Sequence, residues 1–215
     1  MGQRKRVAAR CSPSDLDAQK ARILEAARRA FLEKGYLGTS IRTIALEARM
    51  SPGLIYFYFC RGKDEIYGRI CEEAFGIGIG LLEKAASTPG RARDKLKAMA
   101  AAYVRFYTGY PEYFDILSFK DMGFKKVALS KDQRRKLERL SSAMLSLLGS
   151  VVEEAVREGS LPARTDRNTT TLALWSVIEG ALYIHKRGYL KQSGVALEDL
   201  VQAELAILEK GMHLK

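Results

Sequence analysis

The chemistry-bearing residues gather in one short stretch. Ser51-Pro52-Gly53 is followed by Tyr56, Phe57, Tyr58 and Phe59, then by Lys63, and upstream stand Thr39-Ser40 and Arg42. These types suit hydrogen bonding to an anionic polymer rather than bond-making. A hydroxyl at a helix start, Thr39 or Ser40, can hold a phosphate together with backbone N–H groups. Tyr56 and Tyr58 can donate hydroxyl hydrogen bonds to phosphate oxygens. Phe57 can press on a thymine methyl, and Arg42 can pair bidentately with guanine. Gly53 has no side chain, so a duplex can approach the backbone. Lys63 adds a further cation for a phosphate.

Two short helices and a turn must position these groups. Thr39 or Ser40 caps a helix running to about Ala48, with Ile41, Ile44 and Ala45 at helical spacing. Ser51 caps a second, in which Pro52 at the first position loses no needed hydrogen bond. Such helices are too short to stand alone. They need an earlier helix, from about Ser14 to Lys34, and a later one starting near Lys63. Ser14 with Asp17 resembles a capping box, and Gly35 fits the left-handed position after a helix end. The shared core is expected from Leu24, Phe31, Ile44, Ile55 and Phe59. The whole is a helix-turn-helix of the kind that lies in a DNA major groove.

Charge supports this. The net charge is +11 over 215 residues. Residues 1–70 hold 14 Lys/Arg against 7 Asp/Glu, whereas residues 71–215 hold 22 against 18. Basic charge concentrated on one module is an electrostatic footprint for phosphate, though a solvated basic surface is the plainer reading. No apolar run approaches the roughly 20 residues that span a bilayer, and the basic amino terminus lacks the apolar core of a signal peptide. A cytoplasmic protein with no membrane partner is expected. Cys11, Cys60 and Cys71 form no paired pattern, and His185 and His213 lie far from all three. The cysteines therefore read as reduced thiols, with Cys60 a place where oxidation could act. No metal site and no cofactor are expected. No Ser/His/Asp set or paired catalytic carboxylate points to an enzyme.

Residues 1–13 read as a disordered basic arm, 14–66 as the DNA-binding domain and 67–215 as a second helical domain. Further helices are expected from about 63 into the eighties, at 91–109, near 111–120, at 130–157, 166–187 and 196–212, with a looser segment around 121–129. Thr88-Pro89-Gly90 is the clearest punctuation between them. Gly76, Gly78 and Gly80 lie inside the fourth helix, where each costs roughly 1 kcal/mol against alanine. They read either as close packing or as a soft point.

At Gly35-Tyr36, Thr39-Ser40, Ile44-Ala45, Ala48, Ser51, Gly53, Tyr56, Tyr58-Phe59, Lys63 and Glu65-Ile66 the chain resembles the amino-terminal signature of TetR-family transcriptional regulators. Arg49-Met50 stands where that signature usually has Gly-Val, Pro52 replaces a commonly polar or basic residue, and one extra residue precedes Lys63. Arg61 is then an alternative phosphate ligand. The resemblance implies an all-α fold of about nine helices, three of them DNA-binding and the rest forming a ligand-binding and dimerisation domain. It implies a homodimer on a palindromic double-stranded operator and repression relieved by a small-molecule effector. A sequence-indifferent DNA-binding protein and an activator are the alternatives. It also implies a pocket among the middle helices, for which Tyr103, Phe106, Tyr107, Tyr110, Phe114, Trp175 and Glu179 are candidates, with Arg105 and His185 as further polar partners. Core packing is the plainer reading for most of these. Leu172 to Leu182 and Leu197 to Leu208 have apolar spacing that suits a dimer interface or internal packing.

Overall fold

The computed structural model describes residues 13–117 and 127–211, all in helices and connections. Residues 1–12 of the arm expected over residues 1–13, together with Cys11, Phe119, Phe124, His213 and most of the looser segment, lie outside the described residues, whereas Pro13 is already helical. Ten helices are described: α1 Pro13–Gly38, α2 Ile41–Glu47, α3 Pro52–Tyr58, α4 Lys63–Ala86, α5 Ala92–Gly109, α6 Pro111–Leu117, α7 Lys131–Arg157, α8 Arg167–Lys186, α9 Tyr189–Ser193 and α10 Leu197–Gly211. The expected nine are all present. The addition is α9, five residues set between Gly188 and Gly194, both left-handed. Helix α1 starts at Pro13, so Ser14 lies within it and is not its cap.

The chain divides into two compact units. One comprises residues 1–74 and 112–138, the other 75–111 and 139–215. In the first, the apolar stripe of α1 buries Ile23, Ala26, Ala27, Ala30 and Phe31. These recur at helical spacing on one face, which is what drives α1 onto its neighbours. Ile44, Ile55 and Phe59 join them as expected, while Leu24 is only partly covered and Ile23 takes its place. Gly35 breaks the helical path with φ +66° and ψ 170°. The break turns Tyr36 inward against Phe31 and Tyr67, with ring centroids 5.7 and 5.1 Å away, and Phe31 and Tyr67 themselves meet edge-on at 5.6 Å. Aromatic contacts of this kind add about 0.5–1.5 kcal/mol each beyond area burial. The Tyr36 hydroxyl donates to Asp64 at the start of α4. Helices α1 and α4 are thereby pinned, and α2 and α3 rest on them.

In the same unit, α6 is tied to α1 and α4. Arg28 Nη1 donates to the Tyr113 hydroxyl at 2.6 Å, which donates to Glu73 at 3.1 Å. The Tyr67 hydroxyl donates to the Ile116 carbonyl. Next along α4, Gly68 sits against Gln133 and Leu129; a Cβ there would lie 2.5 Å from Gln133 Nε2. Burial pushes the Cys71 thiol up to about 12, which makes it an inert core group.

The second unit is a helical pack of α5, α8, α10 and the adjoining parts of α4 and α7. Helix α5 is started by a distant residue: both carboxylate oxygens of Glu158 accept from Ala92 N, at 3.2 and 3.4 Å, and Glu158 also accepts from Ser160 Oγ at 2.6 Å. An orphan N–H of the first turn is thus satisfied from the end of α7. Of the three glycines in α4, Gly78 is a close approach: a Cβ would meet the Met144 methyl at 2.8 Å and the Phe106 ring at 3.4 Å. Gly76 and Gly80 face nothing within 4 Å, so packing explains one glycine and leaves two.

Candidate functional site

Two places gather the residues singled out by sequence, one in each unit. The first is the α2–α3 face. Ser40 is the observed cap of α2, accepting from Thr43 N at 3.1 Å, and Ser51 caps α3, accepting from Leu54 N at 3.3 Å. Ser40, Arg42, Ser51, Pro52, Gly53 and Tyr56 are all exposed. Gly53 leaves its backbone open, with only Ser51 Oγ as near as 4.0 Å to a Cβ built there. The Tyr56 ring lies over Gly62, whose added Cβ would come within 2.9 Å of it. The ring is thereby positioned while the residue stays about half exposed, at 49%. Phe57 and Tyr58 are half-buried and meet edge-on at 5.0 Å.

Two candidates on this face behave differently from expectation. Thr39 is buried, and its hydroxyl lies within hydrogen-bonding distance of the Ala30 and Gly35 carbonyls, at 2.9 and 2.7 Å. It fastens the end of α1 and cannot also meet a phosphate. Lys63 turns back into the unit: its Nζ donates to the Tyr36 and Thr39 carbonyls at 2.8 Å each, over the Tyr36 ring at 4.1 Å. Burial lowers its pKa. Two of its three N–H donors are committed to holding the loop before α2, and only the third is left to meet another group. Arg61 is exposed and stands closer to the role expected of Lys63, its backbone N–H held by Glu65 at 3.0 Å. The turn before α3 has its own cost. Arg49 has φ +51°, the left-handed conformation that costs an L side chain about 1–2 kcal/mol to adopt.

The second place is a cavity of about 70 Å³ in the other unit. Its wall is almost wholly apolar and comes from Leu82 of α4, Met99 of α5, Met144 and Leu148 of α7, Ile178 of α8 and Leu205 of α10, among others. Of the expected pocket residues, Tyr103 and Trp175 line it. Glu179 stands behind them, accepting from the Tyr103 hydroxyl at 2.5 Å and from Trp175 Nε1 at 3.0 Å. Burial, and then the Glu179 charge, raise the Tyr103 pKa well above its ordinary value.

The remaining pocket candidates lie elsewhere. Phe106 is buried against Gly78 and is not part of the lining. Tyr107 pairs with His185 instead, hydroxyl to Nδ1 at 2.8 Å with the rings edge-on. Tyr110 is 40% exposed at the end of α5. Phe114 is buried in the first unit, with α6, because the break at Gly109-Tyr110-Pro111 carries the chain there. The aliphatic lining went unmarked in the sequence because leucine and methionine at helical spacing look like any core. On α8 and α10, Leu174, Ile178, Ala181, Leu182, Leu197, Val201 and Leu205 are buried, whereas Leu172 and Ile207 are 56% and 70% exposed. The apolar spacing therefore serves an inner face and leaves an outer one.

Among the described residues, no group of acidic, histidine or cysteine side chains could hold a metal, and no helix is long and apolar enough to cross a membrane.

Comparison with known proteins agrees with this geometry. Residues 23–70 match the bacterial regulatory proteins of the tetR family, and residues 89–183 match a tetracyclin repressor-like C-terminal domain. A fatty acid metabolism regulator protein of Bacillus subtilis is 23% identical over 193 residues, covering 90% of this chain and 95% of that protein. An HTH-type transcriptional repressor of Streptomyces coelicolor is 30% identical over 121 residues, 56% of this chain and 59% of that one. Among solved structures, the regulator FadR from Bacillus subtilis in complex with stearoyl-CoA superposes with a TM-score of 0.72 at 20% identity, over 90% of this chain and 99% of that one. The regulator PfmR from Thermus thermophilus superposes with a TM-score of 0.70 at 24% identity, over 86% and 96%. With its helix-turn-helix unit and its all-helical second unit, the chain belongs to the TetR family and is a DNA-binding transcriptional regulator.

Proposed function

We propose that this regulator is a repressor that leaves a palindromic operator when an acyl effector enters the cavity of its second unit. The observation that carries the reading is the cavity itself: a wall of aliphatic side chains with two aromatic groups whose polar atoms are already paired. Such a wall gives a long hydrocarbon its hydrophobic contacts and offers a polar effector nothing. The fatty acid metabolism regulator and the structure bound to stearoyl-CoA, both similar to this chain, support the same class.

The size of the cavity suggests how occupancy reaches DNA. At about 70 Å³ it falls well short of the roughly 300–1,000 Å³ of ordinary ligand sites. An acyl chain therefore binds an expanded form in which flexible side chains such as Met99 and Met144 swing aside. A ligand shifts an equilibrium only by its differential affinity for two states, and here the closed state has no room for it. Helix α4 contributes Leu82 to the cavity and Ile66 and Tyr67 to the core beneath α2 and α3, so one helix serves both sites.

On the DNA side, Ser40, Arg42, Ser51, Tyr56 and Arg61 form the contact set, with Pro52 and Gly53 allowing close approach and Phe57 and Tyr58 flanking it. Two copies would join through the outer faces of α8 and α10, where Leu172 and Ile207 are exposed; a two-fold dimer on a palindrome presents its recognition helices to successive major grooves about 34–36 Å apart.

The test is selection of bound duplex from a random pool, followed by fluorescence anisotropy on the winning sequence with added stearoyl-CoA. A palindrome and ligand-dependent release are expected. Binding with a steep salt dependence but no palindrome would leave only phosphate contacts, and an operator complex indifferent to stearoyl-CoA would remove the effector assignment. A reporter gene behind the operator decides the direction of regulation, with increased transcription on effector addition expected.

A further inference from the structure

The Tyr103–Glu179–Trp175 arrangement is costly to build and is not needed to fill space. Phe and Leu in these places would give the same apolar wall without a carboxylate. Instead α8 carries Trp175 and Glu179 one turn apart, and Tyr103 reaches across from α5 so that both donors converge on one oxygen, Oε1. The two rings line the cavity, while their hydroxyl and indole N–H point to Glu179. The polar atoms of the wall are thus paired on the far side of the rings.

We infer that Glu179 sets which acyl chains the cavity admits. By holding the Tyr103 hydroxyl and the Trp175 N–H, it presents pure hydrocarbon to the ligand, so an unsubstituted chain is accepted and a hydroxylated one is rejected. This rests on the acyl-effector reading above and names the selectivity of that same site. A hydroxyl entering the cavity exchanges its water partners for an almost wholly apolar wall whose two donors are already taken by Glu179, which is unfavourable. An apolar pocket discriminates against an added hydroxyl by about 10- to 100-fold at most, and that is the selectivity expected here. Glu179 acts through the two aromatic side chains, as a positioning residue.

Trp175 is the single tryptophan of the chain, so its fluorescence reports occupancy directly, without DNA. The intact protein is titrated with palmitoyl-CoA and with its mid-chain and terminal hydroxy derivatives. Wild type should prefer the unsubstituted chain by about 10- to 100-fold. In Glu179→Leu the Tyr103 hydroxyl and Trp175 N–H lose their acceptor and turn to the ligand, and the preference should fall below about 3-fold for at least one hydroxy derivative. Tyr103→Phe frees a lone pair of Glu179 instead and should lower the preference in the same way, which keeps the test decisive if Glu179→Leu does not fold. If Glu179 merely clips α8 to α5, both variants weaken all ligands equally; an unchanged preference ratio overturns the inference while leaving acyl binding intact. Equal binding of all chains by wild type overturns it too. If palmitoyl-CoA and its derivatives neither alter Trp175 fluorescence nor release DNA, the acyl reading fails and takes the inference with it.

Discussion

The α2–α3 face and the cavity of the second unit solve opposite problems. The face keeps polar groups in solvent: Ser40, Arg42, Ser51 and Tyr56 project from two seven-residue helices that cannot stand alone. The cavity hides its polar groups, pairing Tyr103 and Trp175 on Glu179 behind an aliphatic wall. Reading a charged polymer needs exposed donors on a firm base. Holding a hydrocarbon needs a wall with nothing to offer a hydrogen bond. The two activities therefore place strain in different parts of the molecule. The face carries it in the backbone, at Arg49, while the cavity carries it as about 70 Å³ of space left unfilled among aliphatic side chains.

The largest expected effect comes from removing the base beneath the face. Ile55 is fully buried under the seven-residue α3, so Ile55→Ala should cost about 2–5 kcal/mol and abolish operator binding. Urea unfolding and anisotropy measure both. If DNA binding survives while stability falls, α3 is not held as described. Next comes Arg42→Ala, which leaves the base intact and should weaken operator affinity by about 10- to 100-fold, as expected for a lost base contact of about 1–3 kcal/mol. Trp175 fluorescence with palmitoyl-CoA should be unaffected, and a change in both readouts would blur the separation of the two sites.

The glycines of α4 sharpen the comparison. Gly76 and Gly80 have open space around them, so replacing both by alanine should stabilise the protein by about 1 kcal/mol each. If softness at these positions carries the effector response, the double variant should bind stearoyl-CoA yet release DNA poorly; undiminished release would assign them no such role. Arg49→Gly should relieve the left-handed strain and, after the added flexibility of the unfolded chain, stabilise by about 0.5–1 kcal/mol. A fall in melting temperature would mean that the Arg49 side chain contributes more than its backbone costs.

The smallest effect is pH-linked. The hydrogen bond from Ser160, and then that from Ala92 N, hold the Glu158 carboxyl below the usual carboxylate range despite opposing desolvation. A lowered folded-state pKa contributes stability above the unfolded-state value, and that contribution is lost as pH falls through the folded one. Glu158→Gln should therefore be less stable than wild type at neutral pH, and the gap should close in acid. A gap independent of pH would show that Glu158 acts only as a neutral cap.

The face was largely legible in the sequence because its signals are local. Ser51-Pro52 announces the start of α3, and the apolar spacing of Ile44, Ala45 and Ile55 marks what is buried. What stayed hidden depends on distant partners. Thr39 and Ser40 were equivalent as caps until the Ala30 and Gly35 carbonyls claimed Thr39. Lys63 looked like a free cation because the carbonyls that take it belong to Tyr36, in the last turn of α1, and to Thr39 just beyond it, far back along the chain. The cavity was least legible. Its aliphatic lining has no chemical mark, and the aromatic run drew attention to Phe114, which the break at Pro111 sends into the other unit. Helix α9 has no sequence mark because five residues between Gly188 and Gly194 are too few to show a helical apolar repeat.

The DNA-reading unit is discontinuous: residues 112–138 belong with residues 1–74, after an intervening stretch of the second unit. Anyone grafting this head onto a foreign sensor must therefore move two pieces of chain. A graft cut once near residue 70 would strip away Tyr113, Ile116 and Gln133, leaving Arg28 with only its neighbour Glu25 and depriving the Tyr67 hydroxyl and Gly68 of the groups they meet. A two-piece transplant carries its own lining with it, and so the modularity that a family of interchangeable regulators suggests is available here only along that longer seam.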